Sequence, residues 1–125
     1  MLELRQITVT GTPTEMGRQQ GEALRETIHA FVAQRRVAAA GYLAERGHRD
    51  GEALIGIGRK CLAMLKGWDE PGWNEHCATA EGAGIDAAEL YTYGNYTDIR
   101  DVLALPAESA DAEGCSATLL PPSRT

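Results

Sequence analysis

Between Pro13 and Glu45 the apolar positions return every three or four residues: Leu24, Ile28, Phe31, Val32, Ala39, Tyr42 and Leu43 share one stripe, and Glu22, Arg25, Glu26, Gln34 and Arg35 fill much of the remaining surface. That is the helical period, and it predicts one long helix running to about Glu45. Its start is signalled by Gly11-Thr12-Pro13-Thr14-Glu15, where Thr12 caps, Pro13 suits the first helical position and Glu15 completes a capping box. Gly17 and Gly21 lie one turn apart on one face. Each costs the helix about 1 kcal/mol relative to alanine, which close packing of a second backbone would offset. Ahead of the turn, Leu2, Leu4, Ile7 and Val9 alternate with polar and β-branched neighbours, with a phase slip between Leu4 and Ile7. This predicts a short strand from Leu2 to Thr10.

After the loop at Gly47–Gly51, Glu52 to Lys66 reads as a second helix carrying Leu54, Ile55, Leu62, Met64 and Leu65. Gly56-Ile57-Gly58 inside it is no phosphate cradle, because Cys61 stands where a third glycine would be needed and no strand precedes it. The run Trp68–Trp73 breaks the chain, and a third helix is predicted from Trp73 to about Ala80. Glu81-Gly82-Ala83-Gly84-Ile85 ends it with glycine where a left-handed cap is expected. Asp86 then caps a fourth helix through Leu90 toward Tyr93, continuing past Asn95 to Leu103. The expected fold class is mostly α with a short N-terminal β-strand.

A chain of 125 residues is one domain or part of one. Its net charge of −6 and pI near 5.0 argue against a nucleic-acid surface, which needs clustered cations to displace counterions. Arg35-Arg36, with Arg46, His48 and Arg49 beyond, read as a solvated helix face and its end. No stretch has the length of a membrane span, and the N-terminus lacks the basic and apolar regions of a secretory signal. Three cysteines without scaffold spacing fit a reducing, cytoplasmic setting.

Several polar groupings have both a functional and an ordinary reading. His76 and Cys77 with Cys61 resemble a metal cluster only loosely, since adjacent helical residues diverge by about 100° and no closely spaced Cys pair is present. No metal is expected. Tyr91, Tyr93 and Tyr96 suit either an acyl pocket or core and rim. Asn95, Asp98, Arg100 and Asp101 suit either substrate orientation or a solvated helix face with ion pairs.

The candidate chemistry lies at Gly114-Cys115, after the acidic run Ala107-Glu108-Ser109-Ala110-Asp111-Ala112-Glu113. A small residue before cysteine leaves its carbonyl open to attack by the thiol through a five-membered intermediate. Hydrolysis of the resulting thioester would free the α-amino group of Cys115. With a reference pKa of about 8 against about 10.4 for lysine, that amine can act as base for its own thiol near neutral pH. Gly114 is the residue left behind, and Cys115 is both nucleophile and base.

Three features in order, Gly11-x-Pro13-x-Glu15-x-Gly17-x-x-x-Gly21, Ala80-Glu81-Gly82-Ala83-Gly84-Ile85 before a helix and an Asn-containing polar run, and the Gly114-Cys115 junction, resemble the N-terminal portion of the acyl-coenzyme A:6-aminopenicillanic acid acyltransferase family. These are self-cleaving N-terminal nucleophile hydrolases. The resemblance implies that residues 1–106 form the helical α part of an αββα fold, 107–114 an acidic processing linker, and 115–125 the start of the catalytic β part. Residues Thr12 to Gly21 carry over as structure, and Gly114 and Cys115 as chemistry. It also implies acyl transfer or amide hydrolysis on a small-molecule acyl substrate through an acyl-Cys115 intermediate. No bound cofactor is implied, though an acyl-coenzyme A co-substrate is allowed. Members of the family continue well beyond the cysteine, supplying sheets, oxyanion donors and most of the acyl pocket. With only Ser116 to Leu120 of a first strand here, the chain is expected to be inactive alone, and to be truncated or to need a separate catalytic β chain. The competing expectation is a small acidic helical module that binds a partner through its apolar stripes, with Cys115 incidental.

Overall fold

A computed structural model describes residues 4–47 and 51–104. Six helices follow one another in this part of the chain: α1 (Pro13–Ala23), α2 (Arg25–Glu45), α3 (Gly51–Trp68), α4 (Glu70–Ala83), α5 (Ala87–Gly94) and α6 (Tyr96–Ala104). The mostly helical expectation holds among the described residues.

The expected N-terminal strand does not form in its described part, residues 4–10. Alternation supplies a strand's side-chain pattern but not its ladder partner, and no second strand exists among the described residues to pair with it. The segment instead runs back along α1. The Gln19 side-chain amide donates to the Thr10 carbonyl at 2.8 Å and accepts from the Thr10 N–H at 3.1 Å, so one side chain satisfies both backbone groups. Arg5 then donates to the Ala23 carbonyl at 2.9 Å.

That last contact sits where the predicted long helix divides. Leu24 adopts φ −110° and ψ 18°, so α1 and α2 are separate helices meeting at a bend rather than one rod. The Leu24 N–H still reaches the Gln20 carbonyl and its own carbonyl still receives the Ile28 N–H, at 3.0 and 2.8 Å. The hydrogen-bonded spine therefore turns without losing either bond, while Arg5 occupies the carbonyl next to the bend.

Thr12 accepts from the Glu15 N–H at 3.2 Å, as the capping reading requires. α4 starts three residues before the expected Trp73, because Asp69 caps it by accepting from the Gly72 N–H at 3.1 Å and Pro71 suits its first turn. It ends at Gly84, whose φ of +71° and ψ of 39° are the left-handed cap that an L side chain adopts only with strain. Asp86 caps α5 by accepting from the Glu89 N–H at 3.0 Å. The predicted fourth helix divides at Asn95, giving α5 and α6.

The glycines of α1 explain the tertiary arrangement. A Cβ on Gly17 would lie 3.0 Å from the Glu75 carbonyl carbon, and one on Gly21 would lie 2.8 Å from the Ala83 nitrogen. Reciprocally, a Cβ on Gly82 would lie 2.5 Å from the Arg18 carbonyl oxygen. Contacts advance together along both helices, so α1 and α4 run in the same direction, backbone against backbone. Val32 and Ala39 of α2, Leu54 of α3, Tyr93 of α5 and Tyr96 and Ile99 of α6 form the core. Leu54 is wholly buried, worth about 2 kcal/mol of hydrophobic stabilisation. Gly58 serves as a notch for α5: a Cβ there would meet that of the fully buried Thr92 at 3.0 Å. The Thr92 hydroxyl is satisfied within its own helix, donating to the Ala88 carbonyl at 2.6 Å.

Candidate functional site

The bend at Leu24 and the close α1–α4 pairing leave an open groove of about 450 Å³ between α1, α2, α4 and α5. Leu24, Ile28 and Phe31 form one apolar wall and Leu90 another, while Gln20, Glu75, His76, Thr79 and Asn95 bring polar groups to it. Half of the long predicted stripe is thus spent on the core, through Val32, Ala39 and Leu43, and its first half on this groove. Phe31 remains 36% exposed at the rim.

The polar groups are held from behind. His76 donates from Nε2 to the Ala87 carbonyl at 2.9 Å, since a carbonyl only accepts. In the neutral ring this leaves Nδ1 as an acceptor. Tyr91 stands edge-on to the imidazole, with ring centroids 5.5 Å apart. Asn95 donates from its side-chain amide to the Tyr91 carbonyl at 2.9 Å, fixing it where α5 ends. Thr79 donates to the Glu75 carbonyl at 2.8 Å. Further along, His29 donates to the Ala83 carbonyl at 2.7 Å, which ties α2 to the free end of α4. Burial pushes the Cys77 thiol above its ordinary value, opposed in part by the charge of Lys66. Burial also raises the Tyr91 phenol, with Cys61 and Asp98 adding to the effect.

Tyr91, Tyr93 and Tyr96 pack in or against the core. Tyr93 and Tyr96 are buried in the core, and Tyr91 is half-buried behind the groove. His76 makes its recorded contacts to a backbone carbonyl and an aromatic ring, and no set of three metal-ligand side chains gathers among the described residues. No helix is long and apolar enough to cross a membrane among the described residues.

The arginines do more than face solvent. Arg36 forms an ion pair with Glu89 and lies over Tyr93 at 5.8 Å. Arg35 lies over Phe31 and Tyr96 at 5.2 and 5.9 Å, and Arg46 and Arg100 both lie over Tyr42, at 3.7 and 4.4 Å. His48 and Arg49 fall outside the described residues, as do Gly114 and Cys115. The groove's polar members Gln20, Glu75 and His76 were not singled out from sequence as one site. Gln20 lies more than fifty residues before the adjacent Glu75 and His76, and only the glycine spacing hinted at the helix pairing that joins them.

Among the described residues the groove offers an apolar trough with a carboxylate, an imidazole and two amides at its edges, suited to receiving an apolar segment with polar ends. The chain was compared with protein-family models, curated proteins and solved structures, and it matches none of them.

Proposed function

We propose that this chain is the helical α portion of a self-processing cysteine N-terminal nucleophile acyltransferase or amidohydrolase, with αββα sheets supplied by a catalytic β portion. The observation that supports this reading is the α1–α4 pair. Gly17-x-x-x-Gly21 and Ala80–Ile85, the two upstream segments that carry the resemblance, pack on one another through Gly21, Gly82 and Ala83. They form one structural unit, as parts of a common scaffold should.

In the proposed reaction the Cys115 thiol attacks the Gly114 carbonyl, and the acyl group passes from nitrogen to sulfur as the amide nitrogen takes up the proton. Water then hydrolyses the thioester, releasing the Gly114 carboxylate and a free Cys115 with its α-amine. The same thiol next accepts an acyl group from a small-molecule amide or thioester and passes it to an acceptor or to water. Backbone or side-chain donors of the β portion stabilise each oxyanion. The helical portion contributes a rigid support and an apolar groove facing its partner.

The test is the intact mass of the protein expressed from its native reading frame, beside a Cys115→Ala form. A break between Gly114 and Cys115 that disappears in the alanine form supports the reading, and an uncut chain in both overturns it. A second reading, a non-catalytic partner-binding module, is favoured by the open groove and by Met64 and Trp68, which are 70% and 76% exposed one turn apart on α3. An uncut 13.4 kDa chain that associates into complexes of twice its mass or more would favour it.

A further inference from the structure

The polar side chains of the groove between α1, α2, α4 and α5 have turned their donors toward the protein and kept their acceptors. The His76 Nε2–H goes to the Ala87 carbonyl, the Thr79 hydroxyl hydrogen to the Glu75 carbonyl and one Asn95 amide hydrogen to the Tyr91 carbonyl. These bonds leave the imidazole Nδ1 and the hydroxyl lone pairs as acceptors, and leave Asn95 its amide oxygen and one N–H. The Glu75 carboxylate brings two further acceptor oxygens and a full negative charge. It has no ion-pair or hydrogen-bond partner among the described residues.

Nothing in the lining balances that charge. No lysine or arginine is part of it, and Arg35 reaches the rim only by lying over Phe31 at 5.2 Å. Two helix ends also meet the groove, α4 near Gly72 and α5 at Gly94. The partial positive charge at the start of α4 is met by the Asp69 carboxylate, which accepts the Gly72 N–H at 3.1 Å. The end of α5 adds about half a negative charge, of the same sign as Glu75. The net charge of −6 extends the attraction for cations beyond the groove itself. A bare metal ion would find one carboxylate and one imidazole there, fewer than the three protein ligands that metal sites use, so the positive charge must arrive on a larger body. Leu24, Ile28 and Leu90 give that body an apolar wall, and about 450 Å³ lies within the range of small-molecule sites.

We propose that the groove is a binding site for a small apolar primary amine. Its ammonium group pairs with Glu75, its remaining hydrogens go to the acceptors of His76, Thr79 and Asn95, and its hydrocarbon body lies against Leu24, Ile28 and Leu90. An ammonium offers three N–H donors and no acceptor, the complement of what the groove leaves open. The site stands on the described helices alone and holds whether or not the chain processes itself.

The test titrates the full 125-residue chain at neutral pH, where an alkylamine is charged as lysine is, and follows the NMR signals of Leu24, Ile28 and Leu90. The ligands are n-butylamine, n-hexylamine, 1-hexanol and hexanoate. n-Hexylamine is expected to bind about fifteenfold more tightly than n-butylamine, at about fourfold for each of two methylenes. It should bind about tenfold more tightly than 1-hexanol, as a charge-assisted hydrogen bond provides, with hexanoate weakest. Glu75→Gln keeps the shape of the side chain and should bring n-hexylamine to the 1-hexanol value while leaving 1-hexanol unchanged. Glu26→Gln on α2, outside the groove lining, makes the same change in net charge and should alter neither. The ranking of amine, alcohol and carboxylate on the parent chain decides the matter even if Glu75→Gln fails to fold. Equal affinity for amine and alcohol overturns the proposal, as does a preference for hexanoate. So do equal losses in Glu75→Gln and Glu26→Gln, which would make the amine a general counterion of an acidic surface. A dimeric chain whose groove signals the amine does not move also overturns it, and would place a second copy in the groove. Amine binding by a protein whose native Cys115 form stays uncut would defeat the self-processing reading and leave this site intact.

Discussion

Substituting Gly21 with alanine should reverse the usual sign of a glycine-to-alanine change in a helix. At Gly41 of α2 and Gly56 of α3 an added Cβ meets nothing within 4 Å, so alanine there should stabilise by about 1 kcal/mol through helix propensity alone. At Gly21 the same Cβ would sit 2.8 Å from the Ala83 nitrogen and 2.9 Å from the Thr79 carbonyl carbon, and both obstacles are backbone that no rotamer can move. Clearing the Ala83 nitrogen to a normal separation of about 3.5 Å already requires the two helices to part by roughly 0.7 Å, and the Thr79 carbonyl oxygen, nearer still, requires more; a gap of that size forfeits at least about a quarter to a half of the dispersion across the contact. Overpacking of this kind costs about 3 kcal/mol at its upper range, and the propensity gain returns about 1, leaving a net loss near 2 kcal/mol. Thermal melts followed by far-UV circular dichroism should show Gly21→Ala lower by about 8 °C and Gly41→Ala higher by about 4 °C. A Gly21→Ala protein as stable as the parent would refute the backbone-to-backbone pairing, and with it the wall of the groove formed by Gln20, Glu75 and Thr79.

Two further changes probe local structure and ionisation. Asp86→Ala removes the acceptor for the Glu89 N–H and should cost about 1 kcal/mol in urea unfolding, while Asp86→Asn should retain most of the stability. Burial raises Cys77 above its ordinary 9.0 and Tyr91 above 10.0, so the folded chain holds both protons more tightly than the unfolded chain. The associated stability is complete below pH 9 and is lost as pH rises through these values. Urea midpoints should therefore fall between neutral pH and pH about 10.5, and the fall should shrink in Cys77→Ala. A midpoint that holds constant across that range, or rises, would contradict the burial of both groups.

Helix existence was legible because its signals are local. Thr12, Pro13 and Glu15 announce α1, Gly84 closes α4 and Asp86 opens α5, each through bonds made within a few residues. The apolar stripe from Leu24 to Leu43 correctly marked one face, and Gly17 and Gly21 correctly marked a crossing backbone without naming it. Misreadings arose where a distant group intervened. The alternation of Leu4, Ile7 and Val9 met the side chain of Gln19 in place of a strand, and the bend at Leu24 lies beside the carbonyl held by Arg5, eighteen residues earlier. Arg36 and Arg46 are exposed as the sequence suggested, and in addition Arg35 and Arg36 lie over Tyr96 and Tyr93, rings brought by α6 and α5.

The sequence by itself determined the capped helix ends at Thr12, Gly84 and Asp86, which positions are apolar, and the presence of a Gly-Cys junction behind an acidic run. All of these depend on neighbours within a turn or two of chain. Only the tertiary structure decided that Gly21 meets Thr79 and Ala83 while Gly82 meets Arg18 and Glu22, that Ile28 lines a groove while Val32 four residues on is sealed in the core, and that Arg35 and Arg100 both lie over Tyr96. Those outcomes depend on how helices approach in space. Close packing sets that approach: a missing Cβ lets two backbones meet, and their meeting decides which half of a uniform stripe is covered and which half stays open.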